Sequence, residues 1–152
     1  MSGRLLVVDA SVLIKCYLPE IYSEECLRLL NRELPTKTCE YALNQIGASL
    51  WKRSRSGEVK VSDAKRILRS LARLPIEFVP TSVLAEAALE LSSFSGRTFY
   101  EALYLVLALR EETALITADH RWHALLATGK LKTYVDFVAD VNIRLDREPL
   151  TV

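Results

Sequence analysis

No two of the three cysteines, Cys16, Cys26 and Cys39, stand close together in the sequence. Their spacing signals neither a disulfide framework nor a CxxC metal or redox motif. Buried, reduced thiols in a cytoplasmic protein are the expectation. Long apolar runs are missing as well. Nothing approaches membrane-spanning length, and the apolar stretch before Asp9, residues 5–8, is shorter than a signal-peptide core, so neither membrane insertion nor export is expected. Nor is there an internal repeat, a low-complexity tract or a linker. With 152 residues, 50% of them hydrophobic, the chain suffices for one well-packed core and is expected to form a single domain over 1–152.

A strong net charge is also lacking. Twenty Lys and Arg against nineteen Asp and Glu leave +1, which by itself points to no polyanion. The distribution is uneven. Between Lys52 and Arg73 lie eight basic residues, among them Lys52, Arg53 and Arg55, against only Glu58 and Asp63, so the rest of the chain carries twelve basic and seventeen acidic residues. A basic segment on an acidic body can draw a polyanion to one face, and it can equally be a pair of solvated helix faces.

What the sequence does hold is a run of four large aliphatics, Leu5-Leu6-Val7-Val8, ending in Asp9-Ala10-Ser11. Without polar alternation such a run reads as a strand buried on both faces, at the centre of a parallel sheet covered by helices. Ligands of such sheets bind outside the carboxyl ends of the strands, which is where Asp9 falls. Periodicity and breakers predict helices over 11–17, 23–34, 41–55, 62–74, 81–95, 98–109 and 120–127. Strands are predicted over 36–39, 76–79 and 114–117, with an edge strand over 131–135. Leu27, Leu43 and Leu68 fall on the predicted apolar stripes; Trp51 and Tyr100 could stack on bases or fill the core, and both are assigned to the core. The helix opened by Thr98 is apolar nearly all round and is predicted to be central. Residues after Asp140 give no clear pattern. Alternation of strands and helices predicts a three-layer α/β/α sandwich with a mostly parallel central sheet.

Two predicted strand ends carry acids, Val8-Asp9 and Thr117-Ala118-Asp119, and Glu101 joins them if its helix begins near the same edge. Clustered carboxylates repel one another, and holding them together calls for a divalent cation or an elevated pKa. Mg2+ or Mn2+ suits such oxygen ligands. Each acid also has a local reading: Asp9 and Asp119 sit where Asp caps a helix, and Thr98 with Glu101 has the capping-box spacing. His120 and His123 lack further ligand spacing for zinc and are assigned to packing or surface. An Asp after a first strand is shared with haloacid-dehalogenase-like phosphatases, but their second acid, two residues on, is Ser11 here, which argues against that chemistry.

Three blocks of this sequence, Val7-Val8-Asp9-Ala10-Ser11-Val12-Leu13-Ile14-Lys15, Tyr100-Glu101-Ala102-Leu103-Tyr104-Leu105-Val106-Leu107-Ala108 and Thr117-Ala118-Asp119-His120-Arg121, resemble the motif blocks of PIN domains. The closest resemblance is to the VapC-like toxins of toxin–antitoxin pairs, and it covers nearly the whole chain in order and spacing. It implies a metal-dependent endoribonuclease, usually a homodimer, silenced by a small antitoxin whose tail occupies the active-site groove. By this resemblance Asp9, Glu101 and Asp119 match the catalytic acids that hold Mg2+ or Mn2+, and Ser11 and Thr117 match supporting hydroxyls. Lys52, Arg53 and Arg55 would guide the RNA backbone.

The departures are as informative. The family's second acid is usually a Glu on the third helix, five residues before a Leu; counting back from Leu50, that register falls on Gln45. The Asn that often follows at three residues is Ala48. Gln45 can offer a neutral oxygen or hydrogen-bond a water, but it removes one negative charge, so weaker metal binding is expected. Glu40 would replace that acid only through a five-residue shift. The other reading of the chain is therefore a PIN-like module that binds RNA or protein with weakened or absent catalysis.

Overall fold

The computed structural model describes residues 4–148. In chain order its elements are β1 (Leu6–Val8), α1 (Ala10–Lys15), α2 (Ser23–Leu30), β2 (Thr36–Cys39), α3 (Tyr41–Arg55), α4 (Val61–Arg73) and β3 (Ile76–Val79). They continue with α5 (Thr81–Ser95), α6 (Phe99–Arg110), β4 (Leu115–Thr117), α7 (His120–Ala127), β5 (Val135–Phe137) and α8 (Val138–Arg147). The strands form one sheet in the order β3-β2-β1-β4-β5, and every neighbouring pair is parallel. All three residues of β1 are buried, as a central strand covered on both faces requires. Helices flank the sheet, giving the α/β/α sandwich that the alternation predicts.

The most apolar helix is also the most enclosed. Every residue from Ala102 to Ala108 in α6 is buried, and the helix lies across β2, β1 and β4 while pairing with α5. Its start is fixed locally. α5 ends at Gly96, whose φ of 71° is a left-handed value that suits glycine. Two residues on, Thr98 accepts a hydrogen bond from the Glu101 N–H at 3.1 Å while the Glu101 carboxylate accepts one from the Thr98 N–H at 3.1 Å. This reciprocal box satisfies two of the helix's otherwise orphaned donors.

The C-terminal part departs from the sequence expectation. Residues 132–134 form a 3-10 turn, and the edge strand starts where the predicted one ended, at Val135. Val135 and Phe137 are buried and Asp136 lies between them, so the strand carries the alternation of a half-covered edge. The unassigned tail is α8, latched to α2. Asn142, 2% exposed, donates to the Glu25 carbonyl at 2.8 Å and accepts from Arg32, and both Arg28 and Arg32 pair with Asp146. Trp51 and Tyr100 are not core: they are 56% and 54% exposed. Leu27, Leu43 and Leu68 also face solvent in part, so those stripes are narrower than predicted. No helix among the described residues is long and apolar enough to cross a membrane.

Because α6 fills the middle of the core, a cavity there has little room to collapse. Leu105, 1% exposed, is expected to cost about 3 kcal/mol when changed to Ala, read as a lower urea midpoint with an unchanged slope.

Candidate active site

The sheet order creates the site. From β1 the chain moves outward through β2 to β3, then returns by α5 and α6 to enter β4 on the other side of β1. Connections leave the carboxyl ends of β1 and β4 in opposite directions, so a crevice opens between them. Asp9 follows β1 and Asp119 follows β4 by two residues. The helix start at Glu101 and the first turns of α3 border the same crevice. Asp9, Ser11, Gln45, Glu101, Tyr104 and Asp119 all line one cavity of about 350 Å³.

Asp9 is 6% exposed and does two jobs at once. Its Oδ1 caps α1, accepting from the N–H groups of Ser11 at 3.0 Å and Val12 at 3.3 Å and from the Ser11 hydroxyl at 2.5 Å. Its Oδ2 accepts from the Thr117 hydroxyl at 2.5 Å. Both hydroxyls pass the connection on: Ser11 Oγ accepts from the Ala118 N–H at 2.9 Å, and Thr117 Oγ1 accepts from the Asp119 N–H at 3.1 Å. Burial pushes the Asp9 carboxyl up to about 6; the hydroxyl hydrogen bonds oppose this, and the charge of Asp119 adds to it. The capping reading of Asp9 is thus realised, and Asp9 lines the same cavity as Glu101 and Asp119.

The other acids are capped in the same way. Asp119 accepts from the Trp122 N–H at 3.0 Å at the start of α7, and Glu101 closes its capping box. Gln45 stands in the pocket where its register puts it, and the Tyr104 hydroxyl donates to its amide oxygen. The amide nitrogen, a donor, and one lone pair of the oxygen are what Gln45 has left to offer. Burial drives the Tyr104 hydroxyl far above its ordinary pKa and the Cys39 thiol up to about 12, so neither is an acid at neutral pH.

Among the described residues, no three Asp, Glu, His or Cys side chains stand close enough together to hold a metal ion. The donor set nevertheless fits a hard cation. Three carboxylates face one cavity that no described Lys or Arg lines. Mg2+ takes only one or two carboxylates and keeps several waters, so a tight cage is not required. Glu40 is exposed and lies outside the cavity.

Lys52, Arg53 and Arg55 are outside it too. They sit on the last turns of α3, Arg53 roughly 12 Å along the helix from Gln45 at the usual rise per residue. Arg53 pairs with Glu20 and with Glu58, and Glu20 also accepts from Lys15 at 2.8 Å. Burial pushes the Glu20 carboxyl up, but the Lys15 and Arg53 hydrogen bonds together outweigh it and hold it below the ordinary range. Arg55 lies 4.9 Å over the Trp51 ring, and Lys52 is exposed. His120 and His123 pack against Phe137. Three further cavity residues went unassigned in the sequence: Tyr41, Tyr104 and Trp122. Helical spacing could have found them, since Tyr41 precedes Gln45 by four residues, Tyr104 follows Glu101 by three and Trp122 follows the cap Asp119 by three.

A parallel sheet with acids at its switch point is the arrangement of an α/β protein whose site suits a hard cation. Residues 6–126 match the model of the PIN domain, and the chain belongs to the PIN domain family. It is 29% identical to Ribonuclease VapC3 of Pyrobaculum aerophilum over 118 residues, which cover 76% of this chain and 90% of that protein. The fold is similar to that in the crystal structure of PAE2754 from Pyrobaculum aerophilum, with a TM-score of 0.68 and 24% identity over 96% of this chain and 91% of that one.

The raised Asp9 carboxyl has a consequence for stability. In the fold it holds its proton up to about pH 6 against 3.8 ordinarily. The folded state thus binds more protons than the unfolded state between these values, and stability falls as pH rises through that window. This group's contribution is about 3 kcal/mol, fully lost above pH 6. In chelator, Asp9→Asn is expected to melt higher than wild type at pH 7 and to match it near pH 4. A wild type whose melting differs from Asp9→Asn by the same amount at both pH values would contradict the burial of this charge.

Proposed function

We propose that this PIN domain is a Mg2+- or Mn2+-dependent endoribonuclease, the toxin of a toxin–antitoxin pair. One observation carries the reading: carboxylates from two strand ends and a helix start face a single cavity with no cation of the described chain to neutralise them. The similarity to a protein named as a ribonuclease supports the choice of RNA over other phosphodiesters. Asp9, Glu101 and Asp119 would hold the ion, one or two of them directly and the rest through its waters, and Gln45 completes the catalytic set. When bound, the ion supplies positive charge for the phosphoryl oxygens and acidifies a water for hydrolysis.

The chain's own residues do the rest. Ser11 and Thr117 fix the two oxygens of Asp9, so that the carboxylate does not swing when charge moves in the pocket. Gln45, with its oxygen engaged by Tyr104, donates its amide N–H to a phosphoryl oxygen or to the attacking water. Lys52 and Arg55 attract the RNA backbone along α3, with Arg53 in reserve behind its carboxylate partners. The partners of this reading are RNA, a small cognate antitoxin and a second copy of the chain, in the cytoplasm.

A second reading rests on Gln45 alone. With a neutral amide in place of an acid, the domain binds RNA or protein without turnover. Cleavage of single-stranded and structured RNA separates the two. Wild type is expected to cut in Mg2+ or Mn2+ and to stop in chelator, with Asp9→Asn and Asp119→Asn each slower by about 100-fold or more. Equal cutting by wild type and Asp9→Asn sinks the nuclease reading. A silent wild type that gains cleavage and metal affinity with Gln45→Glu establishes the binding module instead.

A further inference from the structure

The cavity has a second kind of wall. Besides its acids it is lined by Tyr41 and Tyr100, whose rings stack with centroids 4.5 Å apart and planes 16° from parallel. Phe99 meets Tyr100 edge-on at 6.1 Å, and the buried Tyr104 meets Tyr41 at 61°. Tyr100 is thus held in orientation by its neighbours, yet 54% of it remains exposed. Its position is fixed by chemistry already described: it is adjacent in sequence to Glu101, and Tyr41 lies one helical turn before Gln45. Trp122 also lines the cavity, its indole N–H buried with no hydrogen-bond partner among the described residues.

An exposed aromatic ring, pre-oriented beside the acidic pocket, is what an unpaired base stacks on. Every base offers a π-face, whereas a base inside a duplex is already stacked and out of reach. We propose that the Tyr41–Tyr100 pair is a nucleobase-stacking subsite that takes the unpaired base next to the phosphate that a cation at Asp9, Glu101 and Asp119 would hold. The inference rests on the endoribonuclease reading for its ligand and adds a specificity-determining residue, Tyr100.

The test measures binding of a short single-stranded oligoribonucleotide to the full chain in Ca2+ by fluorescence anisotropy. A strand with the same phosphates and one abasic position is the comparison. Tyr100→Ala is expected to weaken binding of the intact strand about five- to hundredfold. It should leave the best-placed abasic strand and the salt slope unchanged, because no phosphate contact is lost. Tyr100→Trp should restore binding of the intact strand. Equal losses on intact and abasic strands, failure of Tyr100→Trp to restore, or loss of a protein partner in place of RNA overturns the subsite. Cleavage by wild type with Tyr100→Ala unaffected rejects the subsite and keeps the nuclease. Base-dependent binding with no cleavage in Mg2+ or Mn2+ rejects the nuclease and keeps the subsite, and a chain that binds neither strand rejects both.

Discussion

The structure turns on the grip of two hydroxyls on one buried carboxylate. β1 and β4 are only three residues long, and their backbone pairing ends where the site begins. Beyond that point Ser11 and Thr117 hold the two strand ends together through Asp9, each hydroxyl donating to the carboxylate and accepting from a backbone N–H after β4. The same four contacts set the side-chain direction of Asp9 and the path by which Asp119 enters the pocket. They satisfy the carboxylate's geometry without neutralising its charge, and burial still outweighs them. A site built this way is a local deficit in stability, and the rest of the core carries it.

The charges elsewhere are sorted so that this deficit persists. Lys15 and Arg53 take Glu20, Lys37 takes Glu111 and Glu77, and Arg28 with Arg32 takes Asp146. Partly exposed pairs like these add little to stability, roughly 0–1 kcal/mol each. Their effect is to occupy cations away from the cavity, so that the near-neutral total conceals an acidic crevice. It also explains why net charge was a poor guide: the sum is set by pairs that have nothing to do with the site.

Most of the architecture was legible because its signals are long or redundant. Four aliphatics in a row mark β1, a helix apolar on all sides marks α6, and each is buried where the pattern puts it. The edge strand was displaced because Val135-Asp136-Phe137 is too short for a window, and the nearby Leu131 drew the assignment upstream. Trp51 was misassigned although the helix contains the correction: Ala42, Ile46 and Leu50 form the buried line, and Leu43 and Trp51 each follow one of its members by one residue, on the same exposed flank. Of the site, the acids and the position of Gln45 were readable from spacing. What Gln45 touches was not, since its contact with Tyr104 joins residues 59 positions apart.

Glu101 carries a consequence of its capping box. The third acid of the cavity is also the reach-back arm of α6. Its carboxylate therefore has two employers. Whatever draws it fully into the cavity must outbid the Thr98 N–H, at a cost of about 1 kcal/mol, or roughly fivefold in apparent affinity. Occupancy of the crevice and closure of the capping box at the start of the core's most buried helix therefore compete for one carboxylate.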